Sequence, residues 1–152
     1  MEKEGNELEA LNELLIINND RVEGYMKAAA LTKEHELKSL FHNMADESRT
    51  IARELATEMV KFDGLPSEGC TTHAGKIYRL WMDIRVTINS KKSDVILSSC
   101  EFGEKAVQSV YKTVLESNDL TGDSHQMIAR QKEKLKDSLE LIKQYRSSAV
   151  VA

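Results

Sequence analysis

The chain has 152 residues, a normal length for one domain with a substantial core, and its one proline and seven glycines leave helices as the natural fold. A net charge of -4 with both signs interspersed excludes a dedicated nucleic-acid surface, which needs a basic patch. No apolar run approaches the roughly 18 residues of a membrane span. The acidic start MEKEGNELEALNE lacks the regions of a signal peptide, and Cys70 and Cys100 stand in no metal or redox spacing, so a cytoplasmic protein with two reduced thiols is expected.

In chain order, Leu8, Leu11, Leu15, Asn18, Val22, Tyr25 and Ala29 recur at three and four and predict a first helix from Glu7 to Leu31. Leu14 to Ile17 are all apolar, so this helix should be covered on more than one side. Gly24 costs about 1 kcal/mol relative to Ala inside a helix, which points to a close helix approach. Thr32 can cap the second helix, with Glu34 and Glu36 in its first turn, and the stripe Leu37, Phe41, Met44, Ser48, Ile51, Leu55, Met59, Phe62 carries it to about Phe62. So short a connection makes the two antiparallel. Gly64 and Pro66 end the pair. A shorter helix is predicted from Thr72 to Asn89, with Ile77, Trp81, Ile84 and Ile88 on one face and Trp81 as its core anchor.

Asn89 or Ser90 starts the third long helix, which ends near Ser117 to Ser124 and carries two stripes side by side. One is apolar: Ile96, Cys100, Gly103, Val107, Val110, Val114. The other, Leu97, Glu101, Glu104, Gln108, Tyr111, Leu115, encloses two carboxylates and an amide between apolar and aromatic ends. Its carboxylates face a polar pocket inside a bundle, or lie at the edge of the buried face. A fourth helix follows to about Arg146 on Ile128, Gln131, Leu135, Ser138, Ile142 and Tyr145, and the last residues are expected to fray.

Two helical hairpins joined by a long link that contains its own short helix make a four-helix bundle with one crossover, the connection pattern of ferritin-like folds. The whole chain, 1–152, is read as one such all-α domain with an ordered core over about 7–146. The runs HAGKIYRLWMDIR (His73 to Arg85), CEFGEKAVQSVYKTVLES (Cys100 to Ser117) and LNELLIINNDRVEGYMKAAA (Leu11 to Ala30) resemble a family of small bacterial four-helix-bundle proteins of unknown function in the ferritin-like superfamily. The resemblance spans about Glu7 to Arg146 and implies the fold and a stress-related role, but no assigned activity.

Ferritin-like di-iron proteins take one Glu from each of two helices and a Glu-x-x-His from each of the other two. The histidines here are His35, His42, His73 and His125, preceded at three by Thr32, Ser39, Cys70 and Gly122, so the chain has no Glu-x-x-His. An ordinary di-iron centre is therefore not expected. A carboxylate cluster for iron or manganese could still form from Glu23, Glu101 and Glu104, with Glu47, Glu133 and His42 as weaker members. Antiparallel pairing about Asn118 would set Glu104 level with Glu133, and His42 falls closest to level with Glu23. Each has a plainer reading: Glu23 pairs with Lys27, Glu47 and His42 lie on solvated flanks, and Glu101 and Glu104 meet Tyr25, Tyr111, Arg21 or Arg130.

Without a Gly-rich loop after a strand, a GxSxG, or a cysteine that the sequence places beside a histidine, nucleophilic catalysis and phosphate binding have no support. The leading expectation is a non-catalytic ferritin-like bundle that requires no cofactor, its inner polar groups satisfied by hydrogen bonds and salt bridges. An iron- or manganese-binding, oxidase-like protein is the alternative. A helical interaction module, forming a homodimer through its helix faces or binding another protein, is the third reading.

Overall fold

Regular apolar spacing makes four long helices of the described residues, 2–62 and 92–151, in the computed structural model of the protein. They are α1 (Glu2–Leu31), α2 (His35–Val60), α3 (Ser93–Glu116) and α4 (Gly122–Val151). On α2 the expected stripe faces inward from Leu37 to Met59, Ser48 included. On α1 the four consecutive residues Leu14 to Ile17 are all buried. Since successive residues turn by about 100°, these four sweep about 300° and the helix is enclosed there, as its apolar run predicts. The crossover helix with Trp81, together with Pro66, Cys70 and His73, lies outside the described residues.

Two boundaries differ from expectation. Glu34, with extended φ and ψ of -92° and 124°, is the residue that precedes α2, and its side chain makes no cap bond. Thr32 sits two positions too early to cap the helix, and its hydroxyl instead accepts the Glu34 N–H at 3.2 Å. At the far end α4 continues to Val151 rather than stopping near Arg146. Its start is held from another helix: Thr121 takes the first α4 bond, from His125 N–H at 2.8 Å, while its own N–H and hydroxyl donate to buried Glu7 of α1 at 2.9 and 2.8 Å. A carboxylate there also meets the positive end of the helix dipole.

Side-chain contacts fix the topology. Residue numbers fall on one helix as they rise on the other between α1 and α3 (Asn18 with Tyr111, Arg21 with Glu104) and between α2 and α4 (Glu47 with Ser138, Glu36 with Tyr145), so both pairs are antiparallel. Because each hairpin is antiparallel as well, α2 and α3 run the same way on opposite corners. Ser93, at the start of α3, donates to Glu34 beside the start of α2 at 2.8 Å, whereas the end of α2 meets Ser124 of α4 at the other end of the bundle. A tight turn cannot join such ends; the crossover must be long.

The apolar interior falls into two layers. One centres on Leu11, Leu14, Ile51, Leu55, Val107, Val114, Ile128 and Leu135, the other on Tyr25, Leu37, Phe41, Met44, Ile96, Leu97 and Ile142. Between them lies a polar waist.

Candidate functional site

Arg21 of α1 lies at the centre of the waist with no exposed surface. Its Nε donates to Glu104 Oε1 at 2.6 Å and its Nη2 to Glu104 Oε2 at 3.2 Å, a bidentate pair from α1 to α3. Nη1 donates to the Met44 carbonyl at 3.1 Å and to Ser48 Oγ at 2.8 Å, both on α2. Nη2 also lies 3.0 Å from Glu47 Oε1, which accepts the Ser138 hydroxyl of α4 at 2.7 Å. The Tyr25 ring lies under the guanidinium, 5.0 Å from Cζ to the ring centre. Arg21 thereby joins α1 directly to α2 and α3, and reaches α4 through Glu47.

Electrostatics follow from burial. Desolvation alone would lower the Arg21 value, but Glu104, Tyr25 and Glu47 outweigh it and hold the guanidinium above its ordinary value. Burial pushes the Glu104 carboxyl up, and Arg21 pulls it back down only in part. Since the guanidinium keeps its proton, the two form a buried ion pair. Burial and the adjacent Glu104 charge also push the Tyr25 phenol and the Cys100 thiol well above their ordinary values, so neither ionises readily. This is the opposite of an activated nucleophile.

A second set of contacts leads from Arg21 toward the surface. The Ser48 hydroxyl that accepts from Arg21 donates to Asn18 Oδ1 at 2.9 Å, and Asn18 Nδ2 donates to the Tyr111 hydroxyl at 3.0 Å. Tyr111 donates to Gln131 Oε1 at 2.9 Å, and Gln131 Nε2 donates to exposed Glu54 at 2.6 Å. Every donor points away from the guanidinium and the series ends on a carboxylate, so each bond polarises the next in the same sense.

The carboxylates singled out in the sequence are not placed alike. Glu104 is fully buried on Arg21, and Glu47, read as a flank residue, is half-buried on the same guanidinium. Glu101 lies at the seam with α4, 3.0 Å from Lys105 and 3.2 Å from Arg146. Glu23, Glu133 and His42 are exposed. Glu23, Glu101 and Glu104 are therefore not brought together, and among the described residues no three His, Cys, Asp or Glu side chains are grouped to hold a metal ion. Residues three apart differ by about 60° around a helix, which turns Glu104 inward and Glu101 to the edge. The expected level of Glu133 with Glu104 also fails: Ser138 is the α4 side chain that reaches the Arg21 cluster. Of the four non-metal partners considered for the two carboxylates, Arg21 forms the bidentate pair with Glu104, and Tyr25 hydrogen-bonds it as well. What the residue-by-residue reading passed over was the polar members of otherwise apolar stripes: Asn18, Ser48, Gln131 and Ser138 all join the waist.

Residues 6–117 match a family model described as a domain of unknown function, DUF2383. The chain belongs to the DUF2383 family. The DUF2383 match covers most of α1 and all of α2 and α3, and so includes Arg21, Glu47, Ser48 and Glu104. No curated protein matches the sequence. Among solved structures, a mutant of Dps1 from Mycobacterium smegmatis is similar with a TM-score of 0.81, over 95% of this chain and 97% of that one, at 15% identity. At that identity the likeness shows the fold, which in this DUF2383 protein is all-α and ferritin-like. Among the described residues no helix is long and apolar enough to cross a membrane.

Proposed function

We propose that this DUF2383 protein is a non-catalytic ferritin-like bundle in which the side chain of Arg21 supplies the central positive charge that di-iron bundles of this architecture take from metal. The observation that supports this reading is the bidentate contact of Arg21 with Glu104, at 2.6 and 3.2 Å, at the centre of the bundle. Both oxygens of the most deeply buried carboxylate of the waist are thus already bonded to a cation, and the same cation takes Glu47. Among the described residues the donor set does not fit a di-iron centre. Such a centre needs several carboxylates and imidazoles free to converge, and here His42 is exposed while Glu101 is committed to Lys105 and Arg146. The buried phenols and thiol stay protonated, which suits a scaffold rather than a reaction centre.

Elemental analysis of untagged protein purified after iron and manganese supplementation tests the reading, together with melting curves with and without chelator. The expected result is no stoichiometric metal and an unchanged melting temperature. About one or two ions per chain, lost in Glu104→Gln together with a metal-dependent rise in melting temperature, would overturn it in favour of a metal-binding protein.

A further inference from the structure

We draw no further inference here: the strongest candidate, the outward face of α3 around the exposed Phe102, is an unpartnered helix face, and nothing among the described residues shows what covers it.

Discussion

Removing the Arg21 side chain leaves Glu104 as a charge inside the bundle without its counter-charge, and deprives Ser48 and the Met44 carbonyl of a donor. Arg21→Ala should therefore cost about 3 to 5 kcal/mol, read from urea unfolding with unchanged helical signal before the transition. Replacing both partners tests the cause: Arg21→Met with Glu104→Leu should recover the part of that loss owed to the unpaired Glu104 charge, because an apolar pair of similar volume needs no counter-charge, while the contacts to Ser48, Glu47 and the Met44 carbonyl stay lost. Equal loss in the single and double variants would mean that packing, not charge, accounts for the effect. At this scale the sequence was only half legible. Glu104 is conspicuous because apolar residues fence its stripe, but Arg21 is not, since it stands three residues beyond Asn18 and about 60° off the α1 stripe. A long side chain reaches back across that angle, and spacing rules describe Cβ positions rather than the ends of flexible groups.

Among the elements, α3 shows how one stripe can serve two surfaces. Leu97, Glu104 and Tyr111, seven apart, are buried, whereas Glu101, Gln108 and Leu115, the intervening members, are half-buried at the edge. Both readings of the stripe hold, each for every second residue. The edge members join α3 to α4: Gln108 Nε2 donates to the Lys132 carbonyl at 3.1 Å, and Glu101 bridges to Arg146. A hydrogen bond from Lys105, helped by its charge and by Arg146, outweighs desolvation and holds the Glu101 carboxyl below its ordinary value. A lowered folded value means a contribution present above the unfolded carboxylate range and lost as pH falls through the folded value. Wild type should accordingly be more stable than Glu101→Gln near neutral pH, with the two melting temperatures converging in acid; a constant difference from neutral to strongly acid pH would reject the assignment. Helix existence and most of the inward faces were readable from period alone. The α3–α4 register was not, because five residues of turn, Ser117 to Thr121, can set facing positions off by more than a helical turn.

For the molecule as a whole, the waist does what two apolar layers cannot. Leucines and isoleucines tolerate sliding, but moving one helix by a turn would bring Arg21 or Glu104 into an apolar layer without its partners, so the polar residues specify how the four helices align. The bundle class was legible because the long interval between α2 and α3 rules out a simple up-and-down order; the waist was not, since it depends on residues far apart in sequence meeting in space. The one-way order of its donors has a further consequence. In the run from Arg21 through Ser48, Asn18, Tyr111 and Gln131 to Glu54, neither hydroxyl hydrogen can reorient without breaking its neighbours' bonds. The Ser48 and Tyr111 hydroxyl protons should therefore exchange slowly enough with water to give separate NMR resonances, and Tyr111→Phe should abolish one and broaden the other. Absence of both from wild-type spectra would mean that solvent enters the waist on the timescale of milliseconds.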